Sequence, residues 1–417
     1  MKAARLTGIR QVRIDEVAGP GEAGPGEVVV RVEVVGVCGS DMHYYRTGRI
    51  GSQVVQYPFT VGHECAGTVV AVGPAAPEPD TAEHGSPPPV LAVGDRVAVD
   101  PLIACGQCDQ CLAGRENTCR RQRFLGCPGQ AEGALSEFLI LPARCCFPIP
   151  DTMTFVQATL AEPFAIGLYA YRLWVRSTGE TCGAGVSPAC PAGILPARIG
   201  EMGRIGEAGL TSSNAQPNGT HNAGETPAPR CTPAPVLILG CGPIGLSVLA
   251  AVKADQPERP VYVTDLRDNR LAMARRMGAD WGGNPRQLDL PATLRQECPL
   301  GFAAAFECAG EQETIDHALD LLAPGGRLML VGIPEADRVA LRPDVMRRKE
   351  LALHNVRRQN HCAADAIELI AAGAVNLDAM VTHEFDFAQT GKAFELVADY
   401  ADDVVKAMIF LKKANSQ

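Results

Sequence analysis

Val236-Leu237-Ile238-Leu239-Gly240-Cys241-Gly242-Pro243-Ile244-Gly245 is the stretch on which the reading of this 417-residue chain turns. Four apolar residues run straight into G-x-G-x-x-G, and an apolar helical pattern follows. Gly240 permits a tight turn, Gly242 lets backbone approach a pyrophosphate, and Gly245 allows a helix to pack closely on the strand. Pro243 and Ile244 open that helix, whose unpaired amino-terminal N–H groups face an anion. The pattern therefore predicts a dinucleotide site. Asp265, 20 residues past Gly245 at the end of the next apolar run, could accept hydrogen bonds from the adenosine ribose hydroxyls and would repel a ribose phosphate. NAD is expected over NADP. Arg267 and Arg270 lie close enough to soften that preference, and Arg270 joins the candidate cofactor residues.

Working outward, apolar runs at 236–239, 261–264, 303–306 and 327–333 alternate with helical patterns, which predicts a doubly wound parallel sheet, an α/β cofactor unit over 236–357. Upstream, residues 1–173 are rich in short strands such as 27–35, 67–72, 96–99 and 136–141, separated by Gly and Pro, as in an all-β barrel. That first unit is expected to span 1–175. A tail over 358–417, with a helix at 363–372 and a last strand at 406–411, is expected to return and complete it. Between the two units, residues 176–235 are crowded with Gly, Pro, Ala, Ser, Thr and Asn, without a sustained period. They read as an irregular, disordered insertion without function, a lid being the alternative. A shorter Pro-rich stretch, 73–89, reads as a surface connection.

Composition narrows the partners. Apolar residues make up 46% and charged residues 20%, the balance of an ordinary globular protein. With 38 Lys and Arg against 47 Asp and Glu, the charge of −9 disfavours nucleic acid and anionic lipid. No membrane span is expected, because the most apolar run, 236–252, holds three glycines and a proline. Residues 1–16 alternate apolar and polar side chains, as a first strand does and a secretory signal does not. Sixteen cysteines in such a chain point to metal sites and buried thiols, with the cytoplasm as the natural compartment.

Cys105, Cys108, Cys111 and Cys119 form C-x2-C-x2-C-x7-C. Four thiolates at that spacing can close a tetrahedral shell around zinc and leave no open position, the signature of a structural site. An iron–sulfur cluster or four free thiols are the alternatives. A catalytic zinc needs an open shell, and its candidates are Cys38 in Val-Cys-Gly-Ser-Asp, the pair His63-Glu64, and Glu162 in Ala-Glu-Pro-Phe. Singly, each has a plain reading as core filler, a buried histidine or a helix-start carboxylate. Their coincidence with the cysteine loop and the glycine stretch gives them weight.

On these residues the chain resembles the zinc-containing medium-chain alcohol dehydrogenases, and within them the sorbitol (polyol) dehydrogenase-like branch. Cys38-Gly39-Ser40-Asp41-Met42-His43-Tyr44, Gly48-Arg49-Ile50-Gly51, Gly62-His63-Glu64, Val263-Thr264-Asp265 and Val381-Thr382-His383 carry the likeness. The resemblance implies a GroES-like β-barrel catalytic domain beside a Rossmann cofactor domain. It also implies a catalytic zinc on Cys38, His63 and one of Glu64 or Glu162, with Ser40 and His43 as the proton exit and Tyr44 and Arg357 on substrate hydroxyls. A small polyol or sugar-derived alcohol of the sorbitol, xylitol or idonate type would be oxidised with hydride transfer to NAD, in a homo-oligomer. An L-threonine 3-dehydrogenase-like activity and a non-catalytic zinc protein are the rivals. The sequence departs from the branch at Arg358, where an aromatic residue normally follows the substrate arginine. Arg358 is expected to face solvent, although a second guanidinium there could favour an acid sugar.

Overall fold

In the computed structural model, residues 1–75, 90–179 and 233–412 are described. The expected insertion over 176–235 lies, apart from its two ends, outside the described residues. At its start the chain is still helical: the helix Phe155–Thr178 runs past the expected boundary at 175 and stops at Gly179, whose φ of 72° gives the left-handed cap.

Two sheets organise the molecule. The first runs Cys146–Pro148, Arg96–Val99, Glu64–Val72, Glu27–Gly36, Lys406–Phe410 and Val381–Asp386 in spatial order. Phe138–Pro142 also pairs with Glu27–Gly36. The strand Glu27–Gly36 is Val-rich and buried along most of its length, as β-branched side chains between neighbours should be. Residues 34–36 of that strand pair antiparallel with 408–410, so the carboxy-terminal segment closes the amino-terminal sheet.

The second sheet is wholly parallel and six-stranded. Its order is Trp281–Gly283, Val261–Thr264, Val236–Leu239, Phe302–Glu307, Leu322–Leu330 and Ala352–Asn355, so the first strand in sequence lies third. This 3-2-1-4-5-6 winding puts a crevice at the carboxyl end of Val236–Leu239, where the order reverses. The fifth strand differs from the expected 327–333: it starts at Leu322 and ends at Leu330. Pro324, Gly325 and Gly326 fall in a register shift between the Phe302–Leu322 and Ala304–Arg327 pairs, so regular pairing resumes at 327.

The helix Phe155–Thr178 joins the two sheets. Thr154 and Gln157 form a capping box at its start. Phe164, Tyr171 and Trp174 on it are fully buried, and Trp174 meets Phe306 of the parallel sheet edge-on at 6.0 Å. Gly167 lets this helix touch the helix Pro243–Asp255, because a Cβ there would lie 2.5 Å from the Ser247 backbone. The same helix carries Glu162 and so fixes it relative to both sheets.

Candidate functional site

The glycine loop has the shape its sequence requires. Gly240 turns with a φ of 97°, and a Cβ on Gly245 would lie 1.9 Å from the Gly240 carbonyl oxygen. Gly242 caps the helix Pro243–Asp255, and the half-buried Gly242, Pro243 and Ile244 border the crevice. Asp265 sits beside them. Its Oδ2 accepts from the Cys241 N–H at 2.8 Å and its Oδ1 from the Arg267 N–H at 2.9 Å. Arg270 Nη1 is 3.9 Å from Asp265 Oδ2, and both Arg267 and Arg270 lie over the Tyr400 ring, at 4.6 and 5.2 Å. Two arginines thus flank the acid that would hold the ribose.

The four loop cysteines come together at one point. Cys108 Sγ is 3.6 Å from Cys111 Sγ and 3.9 Å from Cys119 Sγ, and Cys105 Sγ is 3.9 Å from Cys111 Sγ. Thiolates about 2.3 Å from a tetrahedral zinc stand about 3.8 Å apart, so the spacing fits that ion. Backbone N–H groups of Cys105 and Arg121 donate to Cys119 Sγ at 3.3 and 3.4 Å. Backbone hydrogen bonds, from Cys111 first and then Arg120, lower the Cys108 thiol to about 6.

Donor atoms of Cys38, His63 and Glu64 lie within 4.8 Å of one another. Cys38 precedes the helix Gly39–Thr47, and Asp41 on its first turn accepts from the Cys38 N–H at 3.1 Å and the Gly62 N–H at 3.2 Å. Asp41 Oδ1 is also 3.6 Å from His63 Nδ1, which leaves Nε2 facing the cluster. Burial disfavours a charged His63, yet Cys38 and Asp41 outweigh it and hold the ring's pKa well above its ordinary value. One sulfur, one imidazole and one carboxylate, brought together under buried conditions that favour a cation, fit an open-shell zinc site.

Glu64 also has a buried partner: Lys406 Nζ, fully enclosed, is ion-paired to its Oε2 and donates to the Val37 carbonyl at 3.1 Å. Glu162 stands apart from the three-residue group. Its Oε2 is buried without a hydrogen-bond partner, and burial pushes the carboxyl up to about 7, with His63 pulling it down and Glu64 pushing it up. Asp100 and Gln359 line a narrow pocket with it.

Around this centre Ser40 Oγ lies 3.4 Å from both Cys38 Sγ and His63 Nε2. His43, one turn along the same helix, is 3.8 Å from Glu335, and burial lowers its pKa. The Tyr44 hydroxyl donates to Gln53 at 3.1 Å and faces Cys127 Sγ at 3.9 Å. Of the two arginines, Arg358 does not fall as expected. Arg357 is exposed, and its carbonyl accepts from Asn117 Nδ2 at 3.0 Å. Arg358, expected in solvent, turns inward: its Cζ is 3.5 Å from the Phe124 ring centroid, and that ring lies 5.4 Å from the His63 ring. A φ of 52° at Arg358 redirects the side chain. Burial and then Arg357 lower its pKa to about 10, so it remains charged, with Cys127, Glu162 and Tyr44 favouring the charge.

Residues 24–151 match the alcohol dehydrogenase GroES-like domain, and residues 243–372 match the zinc-binding dehydrogenase domain. A sorbitol dehydrogenase of Bacillus subtilis is 30% identical over 98% of this chain and 97% of its own. The chain belongs to the zinc-containing medium-chain alcohol dehydrogenases. An L-idonate 5-dehydrogenase of Vitis vinifera is likewise 30% identical, over 95% of this dehydrogenase and 91% of the relative. An alcohol dehydrogenase of Escherichia coli CFT073, solved in complex with NADH, is 26% identical with a TM-score of 0.74, covering 99% of each chain. This dehydrogenase has, among its described residues, no helix long and apolar enough to cross a membrane. Sequence reasoning missed Asp41, Phe124, Cys127 and Lys406 as neighbours of the site. Asp41 carried a signal, since an acid three residues after a helix-start Cys38 is a capping pattern.

Proposed function

We propose that this dehydrogenase oxidises a secondary alcohol of a polyol or sugar acid to the ketone and passes the hydride to NAD. The observation that carries the reading is the convergence of Cys38, His63 and Glu64 within 4.8 Å. Two near-full-length relatives named for sorbitol and L-idonate support the substrate class. Asp265 beside the glycine loop, and a structural neighbour complexed with NADH, support NAD. The catalytic unit is 1–175 completed by 358–417, and the cofactor unit is 236–357. Reduced cysteines throughout the described residues agree with work in the cytoplasm. A homo-oligomer belongs to the same proposal.

Cys38, His63 and Glu64 would hold a zinc ion that would supply Lewis acidity to an alcohol, and NAD would supply the hydride acceptor. Cys105, Cys108, Cys111 and Cys119 would hold a second, structural ion. The chain's own groups do the rest. Asp41 fixes the His63 ring so that Nε2 faces Cys38 and Glu64 in the ligand cluster. Ser40 Oγ, 3.4 Å from two members of the cluster, receives the hydroxyl proton. His43, kept neutral by burial, accepts it from Ser40 and releases it towards solvent beside Glu335. Gly240, Gly242 and Gly245 admit the pyrophosphate, and Asp265 takes the ribose hydroxyls with Arg270 alongside. Tyr44 bonds a substrate hydroxyl. Glu162, with its unpartnered Oε2, orders water next to the reacting centre.

The test is NADH formation from sorbitol, xylitol, L-idonate and L-threonine, with NAD and NADP in parallel, on protein analysed for metal. About two zinc ions per chain and turnover of polyols or the sugar acid with NAD are expected. Turnover of threonine alone, or of none of these with both sites filled, would overturn the reading.

A further inference from the structure

Arg358 presents a charge that the reaction described above does not use. Its Nη1 is shut off from solvent and has no hydrogen-bond partner. A desolvated guanidinium nitrogen without an acceptor costs free energy, which an oxygen arriving there would return. Phe124 supports the guanidinium on its ring and also packs on His63, so a single side chain separates this cation from the ligand cluster. Tyr44, Cys127 and Glu162 lie within its electrostatic reach, and none forms an ion pair or hydrogen bond with Nη1.

The segment around Arg358 is rigidly held. Asn117 Nδ2 donates to the Arg357 carbonyl at 3.0 Å, and Gln359 Nε2 donates to Asp100 at 2.7 Å. Asn360 Oδ1 accepts from the Asn117 N–H at 3.3 Å, while its Nδ2 donates to the Gly114 carbonyl at 2.8 Å. These bonds hold Arg358 at a φ of 52°, a conformation that L side chains rarely adopt. A planar fork fixed in this way is prepared for the two oxygens of a carboxylate or phosphate.

Building on the polyol-oxidation reading, we infer that Arg358 binds an anionic group carried by the substrate away from the reacting hydroxyl, so that the enzyme prefers an acidic polyol derivative to a neutral polyol. A sugar acid and a sugar phosphate share this chemistry, and the assay separates them.

Zinc-loaded wild type, Arg358→Leu and Arg358→Lys are compared on sorbitol, L-idonate and sorbitol phosphate, by kcat/KM with NAD and by calorimetric binding of each compound to the NAD complex. Wild type should favour one of the two anions over sorbitol. In Arg358→Leu the anion-to-neutral ratio of kcat/KM should fall about ten- to hundred-fold, as expected for a lost hydrogen bond to a charged group, with a matching loss in calorimetric affinity. Arg358→Lys, which keeps the charge and the fold, should recover part of both. Whichever anion loses more identifies the source. Turnover of sorbitol with an unchanged ratio in Arg358→Leu would overturn the inference and leave polyol oxidation standing. If no compound is oxidised, the polyol reading fails, and the calorimetry still decides Arg358: anion binding lost in the Leu variant upholds its role, and equal binding refutes it.

Discussion

Replacing Lys406 by Met tests which carboxylate completes the catalytic zinc shell. Lys406 and Glu64 are ion-paired with side chains 0% and 1% exposed, so neither charge can recover water when its partner goes. Removing one member of such a pair costs about 3–5 kcal/mol, because the other is left buried and uncompensated. The Val37 carbonyl also loses its 3.1 Å bond from Lys406 Nζ, adding about 1 kcal/mol. In zinc-stripped protein the full loss should appear. In zinc-loaded protein, if Glu64 ligates the metal, the ion replaces Lys406 as its countercharge, and the loss should shrink to about 1–2 kcal/mol. The assay is equilibrium urea unfolding followed by the fluorescence of Trp174 and Trp281, on stripped and loaded forms of wild type and Lys406→Met, with zinc measured on each. The cysteine-loop site is emptied in both stripped proteins and cancels in the difference. Equal losses in the two metal states would refute Glu64 as ligand and transfer the role to Glu162. No loss in the stripped form would refute the ion-pair argument itself.

Other substitutions probe the rest of the molecule. Cys108→Ser removes one sulfur from a cluster with spacings of 3.6 and 3.9 Å, and elemental analysis should find zinc falling from about two ions per chain to about one. Retention of both ions would refute the structural site. Asp265→Ala should raise KM for NAD about ten- to hundred-fold while NADP use falls less or rises, since Arg267 and Arg270 remain beside the ribose position; an unchanged NAD-to-NADP ratio in steady-state kinetics would exclude the acid from coenzyme choice. Burial raises the Asp100 carboxyl to about 6, so the folded protein holds a proton there that the unfolded chain has lost. Stability from this group is therefore greatest below about pH 4 and falls as pH rises to about 6, by up to about 3 kcal/mol. Asp100→Asn should flatten denaturation stability against pH across that window, and an unaltered slope would contradict the assignment.

Much of the fold was legible because its signals are local. The runs 236–239 and 261–264 are short, apolar and bounded by Gly or an acid, and both are strands with those limits. The strand Leu322–Leu330 starts earlier than the expected 327 because Leu322 also pairs with Phe302, while Pro324, Gly325 and Gly326 fall in the unpaired gap before pairing resumes at Arg327. Cys38, His63, Glu64 and the cysteine loop were legible for a similar reason: each sits in a short pattern whose spacing has a chemical meaning. Arg357 and Arg358 show where that method stops. Adjacent residues in an irregular segment point in different directions, and the direction here depends on a left-handed backbone at Arg358, held by Asn117 and Gln359 from elsewhere in the chain.

Lys406 shows how such long-range members could still be found. It interrupts Val404-Val405-Lys406-Ala407-Met408-Ile409, an apolar run whose neighbours are all buried. A lysine with no polar face to occupy must either carry its charge to the surface along its own stem or meet an anion inside. The strand lies beside Glu27–Gly36, and the next strand across that sheet begins at Glu64, so the first route is closed and the second supplies a carboxylate. The same reasoning, applied to a cation without an internal anion, is what separates Arg358 from Lys406. One charge is answered by the fold, and the other is left for a molecule that enters the site.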